Sequence, residues 1–279
     1  MRLLRLLHSN PQNDFCLTDD LDDNDPHVIP LYAILSHTWG SDNEEVTFDD
    51  VRRGVARDKI GYAKLEFCAE QARKDGIDHF WIDTCCINKA SEPELSQAIR
   101  SMFRWYQNAV KCYVFLADVS SSKRDVNGRT DHTWEKSFRS SRWFARGWTL
   151  QELLAPSVVE FFSRDRMLLG SKATLVQQIH EITGIPTVAL CGRPIRDFSI
   201  EERFAWARKR QTKKAEDRAY CLFGIFGVQL PVLYGEGRES AIRRLQKEIG
   251  GKSSTIWEIY PLTTSLLNLN QSRLRKSMK

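Results

Sequence analysis

Tyr32-Ala33-Ile34-Leu35-Ser36-His37-Thr38-Trp39-Gly40 begins with an apolar run and empties into Ser36, His37 and Thr38 before Trp39-Gly40. A short apolar run closed by polar groups reads as a buried strand ending in a loop. The same form returns at Phe80-Trp81-Ile82-Asp83-Thr84-Cys85, again with polar residues at the end. Val110 to Ala117 and Val158 to Phe162 are further strand-like runs. Between them, Leu65, Cys68, Ala69 and Ala72 recur at helical spacing, and so do Leu95, Ile99, Met102 and Tyr106 after a Ser91/Glu94 capping box. Strands alternating with helices imply an α/β fold with a mainly parallel central sheet flanked by helices. Ile34, Ile82, Val114 and Val159 are expected on its strands, and Met1 to Leu7 as one more short strand.

Further along, Trp143 to Leu154 reads as a Trp-rich helix stopped by Pro156. Ser171 is expected to cap a helix carrying Leu175, Ile179 and Ile182. A second capping box, Ser199 with Glu202, starts another, and Glu216 to Phe226 reads as one more. The last has Ile242, Leu245 and Ile249 on one face. Asp19 to Asp25 has neither the glycine nor the glutamate of a calcium loop and reads as a solvated turn. Ser120 to Asp131 is a polar loop, residues 1–250 form one domain, and 251–279 read as a tail or linker.

Composition narrows the function. Forty-one basic and 36 acidic residues leave a net charge of +5 spread along the chain. That is not the concentrated stripe of a nucleic-acid binder. The longest apolar runs are far too short to span a bilayer. Seven cysteines without a C-x-x-C pair argue against zinc or any other metal site and for reduced thiols in an intracellular, cytoplasmic core.

Four segments carry more information than any of these. They are Tyr32 to Gly40; Trp81-Ile82-Asp83-Thr84-Cys85-Cys86-Ile87-Asn88; Ser141-Arg142-Trp143-Phe144-Ala145-Arg146-Gly147-Trp148-Thr149-Leu150-Gln151-Glu152-Leu153-Leu154-Ala155-Pro156; and Glu216 to Phe226 followed by Tyr234-Gly235-Glu236-Gly237. In this order they resemble the fungal heterokaryon incompatibility (HET) domain. Asn88, and Lys213-Lys214 before Glu216-Asp217, depart from the family's usual residues at surface-type positions. Many relatives continue into an NTP-binding domain and repeats, whereas no Gly-x-x-x-x-Gly-Lys-Ser/Thr stands in this chain.

The resemblance implies a role in fungal non-self recognition in which the domain triggers programmed cell death. The family is in turn distantly similar to TIR domains, so the resemblance implies a flavodoxin-like fold with additional C-terminal helices. Some TIR domains cleave NAD using a glutamate in a Trp-Cys-x-x-Glu pattern. Trp148-Thr149-Leu150-Gln151-Glu152 has the same spacing, which makes Glu152 the candidate catalytic residue, with NAD as substrate and no cofactor. Self-association and an upstream receptor or fused NTPase and repeat module are the partners implied. The alternative is a non-catalytic death-signalling oligomerisation and interaction module.

A carboxylate at Glu152 would stabilise an oxocarbenium-like ribose. Trp148, one helical turn earlier, would stack on a planar ring. Ser36, His37, Trp39, Asp83 and Thr84 sit at strand carboxyl ends, where open parallel sheets bind ligands, and read as substrate contacts; Ser36, His37, Trp39 and Asp83 are expected to share one concavity with Glu152. His37 reads equally as a proton donor or a loop hydrogen bond, and Asp83 equally as a turn cap. Cys85 or Cys86 with His79 is a remoter nucleophile. Arg142, Arg146 and Arg164 read as anion contacts or a solvated face, and Glu236 as a second carboxylate.

Overall fold

A computed structural model describes residues 1–7, 15–25, 27–121 and 134–250. Most of the loop expected at Ser120 to Asp131, and the tail 251–279, lie outside these residues. The strands are β1 (Leu4–Leu6), β2 (Phe15–Leu17), β3 (Tyr32–His37), β4 (His79–Trp81), β5 (Lys111–Leu116), β6 (Val159–Ser163) and β7 (Leu168–Ser171). The helices are α1 (Phe48–Arg53), α2 (Tyr62–Lys74), α3 (Glu92–Asn108), α4 (Trp134–Arg139), α5 (Thr149–Leu154), α6 (Val176–Thr183), α7 (Thr187–Leu190), α8 (Ile200–Ala207), α9 (Asp217–Tyr220), α10 (Phe223–Phe226) and α11 (Arg238–Gly250).

The fold is α/β, built on one sheet of order β2-β1-β4-β3-β5-β6-β7. It is mixed, which corrects the expectation of a mainly parallel sheet. Only the central β4-β3-β5-β6 ladder is parallel, while β1, β2 and β7 pair antiparallel at the two edges. From β3 the chain steps to β4 on one side, then returns across β3 to β5. The direction of winding therefore reverses between β3 and β5.

Register assigns the two faces. Ser36, Val114 and Phe161 lie abreast, as do His37, Phe115 and Phe162. Successive side chains on a strand point to opposite faces. Phe67 of α2 meets Phe115 and Phe162 on the second face, with ring centroids 5.0 and 5.1 Å away. Phe138 and Trp143 meet Phe161 on the first. The Tyr32 hydroxyl donates to the Trp105 carbonyl of α3 at 2.6 Å, on that same first face. Helices thus cover both faces, as right-handed crossovers require once the winding direction reverses.

Several elements are shorter than their sequence suggests. Ile82 lies just beyond β4, because its carbonyl accepts from Cys85 and Cys86 in a turn. The Trp-rich helix is split into a 3₁₀ turn, Arg142–Ala145, and α5. Between them Gly147 N–H donates to the Gln211 carbonyl at 2.7 Å, and Gln211 N–H to Ala145 at 2.6 Å. The side chains packed around this crossing leave no room at position 147, where a Cβ would stand 2.5 Å from Thr212 Cγ2 and 3.1 Å from Cys221 Sγ. Glu216 to Phe226 likewise divides into α9 and α10. Ser171 ends β7 and braces the following turn through Thr174 rather than capping a helix.

Of the capping boxes, Ser199/Glu202 is complete. At α3 only Ser91 caps. Glu94 turns instead to Asn88 N–H at 2.8 Å and to Arg2 at 2.5 Å. Thr47 with Asp50 forms a complete box not singled out from sequence. Asp19 to Asp25 is the exposed turn expected, except at the side chain of Asp23. That side chain is covered, accepting from Trp105 Nε1 at 2.6 Å and pairing with Arg104 at 2.7 Å. Among the described residues no helix is long and apolar enough to cross a membrane.

Candidate functional site

The carboxyl ends of β3 and β4 carry the polar residues singled out above, and alternation along β3 distributes them to two faces. Ser36 points to the α3/α5 side. Its hydroxyl donates to Glu152 and accepts from Trp143 Nε1 at 2.8 Å. Tyr106, from α3, donates to the Leu35 carbonyl at 2.9 Å beside them. Glu152 is 6% exposed and Ser36 wholly buried. Burial pushes the Glu152 carboxyl up to about 8, with the Asp83 charge adding to the shift and the hydrogen bond from Ser36 and the Arg146 charge opposing it. Glu152 at neutral pH is therefore mostly a neutral acid.

His37 points to the α2 side. Its Nε2 stands 3.6 Å from Glu45 and its Nδ1 3.9 Å from Asp83, one carboxylate at each ring nitrogen. Glu45 also pairs with Lys64 of α2 and accepts from Gly40 N–H at 2.6 Å. Burial works against its charge, but His37 and Lys64 hold its carboxyl down at about 2. Asp83 accepts from Trp39 Nε1 at 2.9 Å, and Lys89 Nζ lies 3.7 Å above the Trp39 ring.

The expected single concavity is thereby corrected. Ser36 with Glu152, and His37 with Trp39, are two clusters on opposite faces of β3, and Asp83 is the charge felt by both. Asp83 caps no turn. Four buried polar atoms in the second cluster have no hydrogen-bond partner: His37 Nε2, Glu45 Oε2, Asp83 Oδ1 and Thr84 Oγ1. Glu45 Oε2 and Asp83 Oδ1 are the atoms that face the His37 ring, just beyond hydrogen-bond distance.

Trp148 joins neither cluster. It precedes α5, and its Nε1 donates to Asp217 at 3.1 Å, where Tyr234 OH also donates at 2.8 Å. Cys85 is buried, which raises its thiol well above the ordinary value, the opposite of what a nucleophile needs. Arg142 pairs with Asp118 and Arg164 with Asp165, while Glu236 is engaged by Arg244 and Tyr220. Among the described residues no cluster of three or more His, Cys, Asp or Glu could hold a metal.

Glu45, Lys64, Lys89 and Tyr106 belong to the site yet were not singled out for it from sequence. Glu45 and Lys64 offer no spacing signal, since a loop and a helix bring them together. Trp143 could have been found, because it stands inside the Ser141-to-Pro156 motif.

Comparison with known proteins adds three findings. The sequence model of the heterokaryon incompatibility protein (HET) family matches residues 32–130, the stretch from β3 through β5. Vegetative incompatibility protein HET-E-1 of Podospora anserina is 52% identical over 247 residues, which is 88% of this chain but 18% of that protein. No solved structure matches the chain. The family match covers the strands whose ends carry Ser36, His37, Trp39 and Asp83, and the relative extends the similarity along nearly the whole chain: the protein belongs to the heterokaryon incompatibility (HET) family.

Proposed function

We propose that this chain acts in vegetative incompatibility, the role named for its relative, as a module that triggers cell death by hydrolysing NAD. The observation that carries the reading is Glu152, a buried carboxyl tuned to about 8 beside the point where the sheet's winding reverses. The order β4-β3-β5-β6 is that of the first four strands of a flavodoxin-like sheet, whose ligands bind outside the strand ends at that reversal.

A pyridinium ring brought close to Glu152 favours its ionised form. The carboxylate then stabilises the oxocarbenium-like ribose as the C–N glycosidic bond breaks and its electron pair leaves with nicotinamide. Water adds to the ribose carbon and releases a proton, giving ADP-ribose. Trp143 and Ser36 act as positioning residues that hold the carboxyl in place.

A second reading, a non-catalytic death-signalling oligomerisation module, is favoured by the burial of Ser36 and Glu152. Expression of wild type and Glu152→Gln in a fungal cell at matched levels separates the two. Under the NAD reading, cellular NAD falls before viability with wild type, and Glu152→Gln spares both. Full killing by Glu152→Gln with constant NAD would leave only the second reading.

A further inference from the structure

A cleft well separated in sequence from the β3 and β4 ends is lined by Phe144, Ile182, Trp206, Lys209 and Arg210, with Glu181 and Arg208 also on its wall. Its most unusual member is Arg210, only 3% exposed. The guanidinium donates to the Arg146 carbonyl at 3.0 Å, the Thr149 hydroxyl at 2.9 Å and the Trp206 carbonyl at 3.3 Å. All three acceptors are neutral, and Nη2 is buried without an acceptor. Among the described residues no carboxylate lies within ion-pairing distance of it.

A buried cation without a counter-ion is costly, and proteins usually pair it. The acid on the cleft wall does not serve. Glu181 is already taken by Arg139 at 2.7 Å and Gln177 at 3.1 Å. Lys209 and Arg208 add positive charge at the surface, while Phe144, Trp206 and Ile182 supply apolar walls. The missing component is an anion with a flat or apolar body.

We infer that this cleft is a binding site for a small oxyanion-bearing molecule, a phosphate or carboxylate on an aromatic or apolar group, with Arg210 as its buried counter-charge and Lys209 at its mouth. Anionic oxygens meet guanidinium groups in the strongest class of hydrogen bond, and the aromatic walls exclude water from it. The site stands apart from the NAD reading and holds whether or not Glu152 is catalytic. It does touch the same element, because Arg210 grips the residues that start α5.

The test is calorimetric titration at constant ionic strength with phenyl phosphate, and with phenol as the uncharged control. Wild type should bind phenyl phosphate saturably at one site and phenol at least about tenfold more weakly, the size of one charge-assisted contact. Lys209→Glu, at an exposed position, should weaken phenyl phosphate about tenfold. Arg196→Glu, exposed and outside the cleft, should leave it unchanged. Arg210→Gln should abolish binding while keeping the near-ultraviolet circular dichroism of wild type, and if it fails to fold, the Lys209→Glu comparison decides. Absence of saturable binding, equal affinity for phenol, or undiminished affinity in Lys209→Glu would overturn the proposal.

Discussion

Glu152 and Glu45 are both buried and are tuned in opposite directions, which gives each a distinct signature in stability against pH. The folded state raises the Glu152 pKa from an ordinary 4.5 to about 8. Between those values the native protein holds a proton that the unfolded chain has lost, so stability falls as pH rises through that window. Glu152→Gln mimics the neutral acid. It should match wild type near pH 4.5 and exceed it above pH 8 by on the order of a few kcal/mol. Urea unfolding at a series of pH values checks this, and parallel curves for the two proteins would contradict it. Glu45 is held at about 2, so its contribution is complete above pH 4.5 and lost as pH falls toward 2. Glu45→Gln should therefore flatten the acid limb between those values and lower stability at pH 7. Neither tuning can be read from sequence. It arises because β3 sends Ser36 into one helical layer and His37 into the other, and each layer supplies different partners.

Among the elements, α5 shows how a local rule was overridden. Trp143 to Leu154 has the apolar content of one helix, but backbone from Gln211 crosses at Gly147 and divides it. Gly147→Ala should destabilise by about 1–3 kcal/mol, because the new methyl meets Thr212 Cγ2 and Cys221 Sγ in a packed site. Gly224→Ala should be at least as damaging, since its Cβ would fall 2.1 Å from Phe103 Cβ of α3. Chemical denaturation of both variants checks these values. At a simpler site, Thr47→Ala removes the cap of α1 and should cost about 1 kcal/mol. The central strands were legible because Tyr32 to Leu35 and Val110 to Ala117 are apolar runs bounded by polar residues. β2 and β7 were not, because strands of three and four residues carry no periodicity. The antiparallel pairing of β1, β2 and β7 at the edges is what turned an expected parallel sheet into a mixed one. The chemistry-bearing strand ends were legible for the same reason as the strands. Their division between two faces followed from alternation along β3, and Glu45 and Lys64 entered only through tertiary packing.

Across the whole molecule, the face bearing Glu152 is built on aromatic contacts around Phe161, whose ring meets Phe138, Trp143 and Phe144. Phe161→Ala should cost about 3–5 kcal/mol and lower Tm by roughly 10 °C, in a thermal melt followed by circular dichroism. It should also loosen Trp143, and through it Ser36 and Glu152, so activity should fall more steeply with temperature than in wild type. The proposed hydrolysis of NAD at Glu152 is addressed directly by one assay. Purified protein, self-associated by a fused oligomerisation tag, is incubated with NAD and nicotinamide release is followed from pH 6 to 9. The expected result is a wild-type kcat/KM for release that rises with pH toward a plateau above about 8, as Glu152 of the free protein ionises, and a loss on the order of 10²-fold or more in folded Glu152→Gln. Equal release by wild type and Glu152→Gln, or none from either across that range, would contradict it.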